Sequence, residues 1–168
     1  MARKGMMVGD SEHTIQNDML QIGAPAPDFA LIANDLSSKS LADYLGLVKI
    51  ISVIPSIDTG VCSAQTRRFN REAAELNETV VLTVSCDLPF ALDRFCGRKA
   101  IGNLETLGTH RDMKFADDYG VHDTDWRICQ RAVFVLDRDN VVQHAEYVPV
   151  IGDEVDFDAA LAKARELV

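Results

Sequence analysis

Between residues 48 and 84 the chain leaves few folds open. Val48-Lys49-Ile50-Ile51-Ser52-Val53-Ile54 is a β-branched apolar run that reads as a buried strand. Pro55-Ser56-Ile57-Asp58-Thr59-Gly60-Val61 turns it, and from Cys62 through Leu76 the pattern becomes that of an amphipathic helix. Cys62, Phe69, Ala73 and Leu76 are spaced by 7, 4 and 3 residues, which puts them on one face at about 100° per residue. Thr79-Val80-Val81-Leu82-Thr83-Val84 reads as the next strand. Strand, helix and strand at this spacing make a βαβ unit, in which successive helices start at one edge of the sheet. Cys62 then lies at the N-terminal end of the buried helix face, with its sulfur expected at the floor of a shallow pocket.

The other elements extend this unit. Residues 6–16 resemble a short hairpin, Met6-Met7-Val8 and His13-Thr14-Ile15-Gln16 around a polar turn, within an N-terminal extension covering 1–22. Pro25 and Pro27 make 23–28 a loop; Phe29–Ile32 reads as a short strand and Leu41–Leu45 as one helical turn. Asp87 is an expected N-cap for a helix whose face is Leu88, Ala91, Leu92 and Phe95, with Pro89 in its first turn and Gly97 as its stop, so that Cys96 ends it. A short helix spans 112–119, a hairpin pairs 132–136 with 141–145, and a final helix presents Phe157, Ala160, Leu161, Ala164 and Leu167. The order β-α-β-α then β-β-α predicts an α/β fold, a thioredoxin-like sandwich with a central mixed β-sheet flanked by helices, formed by 1–168 as a single domain.

The 168 residues are enough to bury roughly 70% of the unfolded surface. No apolar run reaches the roughly 18 residues of a membrane span, and Met1–Asp10 lacks the apolar core of a secretory signal, so the expectation is a cytoplasmic protein. A net charge of −9 argues against nucleic acid and anionic membrane as partners. The four cysteines are too few for a secreted disulfide scaffold. With no CxxC or HxxxH and four scattered histidines (His13, His110, His122, His144), no metal is expected.

A cysteine in a first helical turn faces the positive end of the macrodipole and unpaired backbone N–H groups. Both favour the thiolate, the nucleophilic form, which suggests a redox or nucleophilic enzyme. The competing reading is a buried structural thiol. Taken alone, Thr59 could be no more than a helix cap, Arg131 a solvated charge before a strand, Arg67 and Arg68 a solvated helix face, and Trp126 a packing or interface residue.

Pro55, Thr59 and Cys62 match the P-x-x-x-T-x-x-C motif of peroxiredoxins, and Pro-Ser-Ile-Asp-Thr-Gly-Val-Cys resembles the thiol peroxidase branch (the Tpx-type, atypical two-cysteine members) more closely still. The likeness continues through Thr66–Asn70, Asp87–Ala91, Arg94–Gly97, Tyr119–Val121 and Arg131–Val133, and runs from about Gly23 to the C-terminus. Three departures stand out. Cys86 occupies an alanine position, Cys129 lies in a segment usually free of cysteine, and 122–130 is shorter and less glycine-rich than the family pattern.

The resemblance implies a thioredoxin-dependent, homodimeric enzyme that reduces hydrogen peroxide and organic hydroperoxides in antioxidant defence, without a cofactor. Cys62 would be the peroxidatic sulfur, oxidised to a sulfenic acid, and Cys96 the resolving partner in an intramolecular disulfide. Arg131 would supply permanent charge beside the sulfur, Thr59 a hydroxyl for sulfur and peroxide, and Pro55 the shape of the substrate pocket. With Cys62 at one helix start and Cys96 about nine residues into the next helix, the two would lie roughly 14 Å apart along the axis. A disulfide needs Cα atoms within about 7 Å, so both helix ends must unwind, with Gly60 and Gly97 as hinges. Topology alone also leaves Cys86 as a partner for Cys62, against inert packing for Cys86 and Cys129. Two other functions compete: a thioredoxin-like disulfide exchanger, disfavoured by TxxC in place of CxxC, and a non-catalytic redox sensor or structural binding protein that signals through the Cys62–Cys96 change.

Overall fold

The computed structural model describes residues 1–168. In chain order the strands are β1 (Arg3–Val8), β2 (Ser11–Gln16), β3 (Leu31–Ala33), β4 (Ser38–Lys39) and β5 (Val48–Val53). Helix α1 (Gly60–Ala73), β6 (Thr79–Ser85), α2 (Pro89–Lys99), β7 (Glu105–Gly108) and α3 (Lys114–Asp118) follow. The chain ends with β8 (His122–Asp123), β9 (Ile128–Cys129), β10 (Ala132–Leu136), β11 (Val142–Tyr147) and α4 (Phe157–Glu166). A seven-stranded sheet has the order β11-β10-β5-β6-β7-β3-β4, with β5, β6 and β7 parallel and the outer pairings antiparallel. The mixed sheet and its flanking helices bear out the α/β sandwich.

Every residue of β5 is buried, as a strand covered on both faces requires. Its alternation then decides which face each neighbour serves. Val48 and Ile50 join Val81, Val133 and Val135 under α1 and α4, where Phe69 meets Phe157, Ala160 and Leu161. Ile51 and Val53 join Leu82, Val84, Phe134 and Leu136 on the other face, with Phe115 of α3 and Tyr119. Arg131 precedes β10 in phase with Val133 and Val135, so it is directed to the α1 side. Leu82 and Val84 set the phase of Cys86, which packs against the opposite core.

A second, four-stranded sheet was not foreseen: β1-β2-β8-β9. The N-terminal hairpin is present, with longer strands and a tighter turn than expected, closed at Gly9 with φ +58°. It continues onto a hairpin within 122–130; β2 pairs with β8 from Ile15↔Asp123 to Gln16↔His122. The hairpin also ties down the chain after β11, since Met7 N–H donates to Pro149 O at 2.7 Å and Ile151 N–H to Met7 O at 3.1 Å.

Two expectations about α2 are corrected. Asp87 does not cap it: Leu88 is the N-cap, without a side-chain bond, and the Asp87 carboxylate is engaged elsewhere. Gly97 does not stop it either. The helix runs through Gly97 to Lys99 and ends on Ala100, which is left-handed at φ 53° and ψ 44°. The Ala100 amide makes an ordinary helical bond to Cys96 O, and the left-handed turn at Ala100 brings Ile101 N–H back to the same carbonyl at 3.0 Å.

Candidate active site

Cys62 occupies the first turn of α1, and its side chain is fully buried among Ile54, Ile57 and Leu92, with Phe95 packed against them. The expected pocket floor is therefore corrected. A groove of about 310 Å³ lies beside the sulfur, lined by Ile57, Thr59, Gly60, Ala91, Phe95, Arg94, Arg98 and others, and Cys62 is not among its walls. The apolar packing of Ile57 and Leu92 closes the last step between groove and sulfur.

Arg131 reaches that sulfur from beneath. Its Nη2 lies 3.4 Å from Cys62 Sγ and also donates to Ile151 O at 3.0 Å, while Nη1 donates to Gln65 Oε1 at 2.9 Å. Gln65 in turn donates through Nε2 to Ser52 Oγ at 2.8 Å. All four side chains are buried, and Arg131 is 1% exposed. A guanidinium stays charged throughout the biological pH range, and a buried cation calls for an anionic partner. Arg131 is bonded to no carboxylate here; the one group in contact that can become an anion is the Cys62 sulfur.

Gln65 and Ser52 were missed in the sequence. The signal for Gln65 was available, because it lies three residues after Cys62 on the same helix face, a polar residue on a buried stripe. The part played by the N-terminal hairpin had no local signal. By pairing with 149–151 it fixes the Ile151 carbonyl that Arg131 binds, and Gln130 is held by Gly5 O at 2.7 Å and Val148 O at 2.9 Å.

Thr59 is the N-cap residue of α1 but makes no side-chain cap bond. Its hydroxyl donates to Ser56 O at 3.2 Å, inside the turn, and the residue is exposed on the groove wall, out of hydrogen-bonding contact with the sulfur. Pro55 is buried at the end of β5, where it starts the turn. The turn is braced from β6 by Asp87, whose carboxylate accepts from Ile57 N–H at 2.7 Å, Ser56 Oγ at 3.0 Å and Ser85 Oγ at 2.7 Å. Three donors converge on the carboxylate there, so Asp87 serves the turn and not the helix beside it.

Cys96 is not brought to Cys62; all four cysteines are free thiols. It is half-buried seven residues beyond Pro89, about 10 Å along α2, and its Sγ rests 3.5 Å from Thr106 Oγ1 and 3.8 Å from Asn34 Nδ2. Cys86 is not beside Cys62 either. Its Sγ is 3.5 Å from that of Cys129, on the far face of the sheet. Arg68 is stacked over the Phe157 ring at 4.2 Å, and Trp126 is 58% exposed with its ring edge-on to His13.

Comparison with known proteins bears on what this arrangement does. The Redoxin family model matches residues 21–161. A thiol peroxidase of Streptococcus pneumoniae is 53% identical over 148 residues, covering 88% of this chain and 91% of that protein. A thiol peroxidase of Bacillus subtilis is 49% identical over 155 residues, covering 92% and 93%. Among solved structures, a peroxiredoxin-like protein from Aquifex aeolicus superposes with a TM-score of 0.92 at 30% identity over 99% of both chains. A thiol peroxidase from Chromobacterium violaceum, 23% identical, shares the fold with a TM-score of 0.89 over 99% and 98%. These matches bear out the thioredoxin-like sandwich expected from the element order.

Proposed function

The chain belongs to the Redoxin family and is a thiol-dependent peroxidase of the peroxiredoxin type, and we propose that Cys62 is its peroxidatic residue and Cys96 the resolving one. The observation that carries this reading is the buried guanidinium of Arg131, 3.4 Å from Cys62 Sγ and locked by Gln65 and Ile151.

In the first step the Cys62 thiolate attacks one oxygen of a hydroperoxide. The S–O bond forms as the O–O bond breaks, the electron pair leaves on the alkoxide or hydroxide, and a proton completes the alcohol or water. Arg131 is placed to stabilise the charge that moves from sulfur to the departing oxygen. Thr59 takes up the peroxide once its hydroxyl turns from Ser56 O toward the groove, and Pro55 keeps the turn closed to water.

In the second step the Cys96 thiol displaces water from the Cys62 sulfenic acid, leaving a disulfide. An external dithiol, for which we propose thioredoxin, then exchanges with that disulfide and leaves oxidised while both thiols are restored. The second step requires α2 to open, and its last turn is the weak place. Gly97 sits in the helix interior at a cost of about 1 kcal/mol relative to alanine, and Ala100 is left-handed. We further propose a cytoplasmic homodimer. Leu88 and Phe90, 52% and 65% exposed at the start of α2, offer an apolar face that a second copy would cover.

Steady-state peroxidase assays with three variants test the assignment. Cys62→Ser is expected to lose all rapid turnover with every reductant, leaving no more than slow oxidation of its remaining thiols. Cys96→Ser should lose turnover supported by thioredoxin yet still reduce one equivalent of peroxide. Cys86→Ser should stay within about twofold of the parent, since it touches none of the reacting groups. Full activity in Cys62→Ser would end the proposal.

A further inference from the structure

Behind the central sheet from Cys62, two further cysteines meet. Cys86, just past β6, and Cys129, in β9, lie 43 residues apart in sequence with Sγ atoms 3.5 Å apart. We propose that Cys86 and Cys129 are a second dithiol, which a hydroperoxide converts to an intramolecular disulfide that staples β6 to β9.

The two sulfurs are set up for different roles. Cys86 is half-buried and lines an open pocket of about 320 Å³ with His110, Met113, His122 and Arg127, so small oxidants reach it. Its Sγ also touches Met113 Sδ at 3.5 Å, which holds it against Cys129. Cys129 is completely buried, and its hydrogen bond to Cys86, with burial second, pushes its thiol well above the ordinary range. Cys129 therefore keeps its proton within reach of Cys86, the posture of a resolving thiol. Cys86 is the sulfur that meets peroxide.

The chemistry balances with the substrate this enzyme already uses. Cys86 takes one oxygen from the hydroperoxide, which departs as alcohol or water, and becomes a sulfenic acid. Cys129 then attacks that sulfur, the S–S bond forms, and hydroxide leaves with the Cys129 proton as water. Bond formation brings the sulfurs from 3.5 Å to about 2.0 Å, a shift of less than about 1 Å for each side chain.

The staple would join the two sheets, since β6 belongs to the seven-stranded one and β9 to the four-stranded one. It also lies between two anchors of the Cys62 site. Asp87, which braces Ser56 and Ile57, follows Cys86 directly, and Arg131 stands two residues after Cys129. Oxidation would fix both anchors under the same conditions that open α1 and α2.

The inference is independent of the roles proposed for Cys62 and Cys96, and the double variant Cys62→Ser/Cys96→Ser tests it with those sulfurs gone. Excess hydrogen peroxide is added, thiols are counted after denaturation, and the intact mass and peptide map are read. The expected result is joint loss of both thiols, a mass lower by two hydrogen atoms, one Cys86–Cys129 linked peptide pair, and full reversal by dithiothreitol. The melting temperature should rise by roughly 5–10 °C on oxidation. With Cys129→Ala added, Cys86 should stop at a sulfenic acid that a dimedone-type probe traps. Added oxygen on Cys86 with Cys129 still alkylatable would overturn the proposal, as would two untouched thiols, disulfide-linked dimers or an unchanged melting temperature.

Discussion

The two proposed cysteine pairs are opposites in geometry. Cys62 and Cys96 sit on two helices, separated by Phe95 and Leu92 packing and by about 10 Å of α2, and each has its own resting partner: Arg131 for one, Thr106 and Asn34 for the other. Cys86 and Cys129 are already in contact, held by strands of two sheets. In the couple proposed for the reaction, Cys62 and Cys96, the sulfurs stay apart until oxidation, so disulfide formation needs travel. A pair that records oxidation needs no travel.

The sharpest way to break this contrast is to remove the resting partner of the first sulfur. Arg131→Met takes away the cation while filling much of its volume. Gln65 Oε1 and Ile151 O lose their donor, so stability should fall by about 1–3 kcal/mol, short of unfolding the protein. Peroxidase kcat/KM should fall by about 100- to 1,000-fold, the scale of losing one charge-stabilising donor. A stopped-flow measurement of Cys62 oxidation, set beside a urea melt, separates the two effects. Unchanged oxidation kinetics would mean that Arg131 supports packing alone.

The second pair makes a pH prediction with a definite sign. Folding pushes the Cys129 thiol up, so the native state holds that proton more tightly than the unfolded chain, whose cysteines titrate near 8.5. Stability from this source is complete below about pH 8.5 and is lost as pH rises above it. Reduced protein should therefore unfold at progressively lower denaturant concentration between about pH 8.5 and 10, and the trend should weaken in Cys129→Ala and in the oxidised protein. Tyr44, Tyr119 and Tyr147 are pushed up as well by burial, so the difference between variant and parent is the quantity to follow. If that difference is flat with pH, the Cys129 proton is not held by the fold.

Much of the fold was legible because periodicity reports burial. The strand at 48–53, the stripe through Cys62 and Phe69, and the C-terminal helix with Phe157, Ala160, Leu161 and Ala164 all follow from period 2 or 3.6. The site residues Cys62, Thr59, Pro55, Arg131 and Cys96 came from motif resemblance, and only Cys62 from placement as well. What stayed hidden was non-local. Two-residue strands such as β8 and β9 have no period to read, and their pairing partner, β2, lies more than a hundred residues earlier. Asp87 was misassigned because capping preference is a local rule, whereas its carboxylate answers to Ser56 and Ile57, about thirty residues away. The sulfur contact of Cys86 with Cys129 depends on that same unseen hairpin.

A smaller change sharpens the contrast from the moving side. Gly97 lies inside α2, and a Cβ added there would meet no atom within 4 Å. Gly97→Ala should therefore strengthen the last turn by about 1 kcal/mol, with no clash to offset the gain. If that turn must open before Cys96 can reach the Cys62 sulfenic acid, the same free energy adds to the opening step and slows disulfide formation about fivefold. The reaction of Cys62 with peroxide, which precedes opening, should keep its rate. The longer-lived sulfenic acid should then be overoxidised to sulfinic acid at lower peroxide concentrations than in the parent. Oxidation of Cys86 and Cys129 should be indifferent to the substitution, because neither sulfur lies on α2. Should Gly97→Ala leave disulfide formation as fast as before while raising the melting temperature, the last turn of α2 is not what gates the resolving thiol.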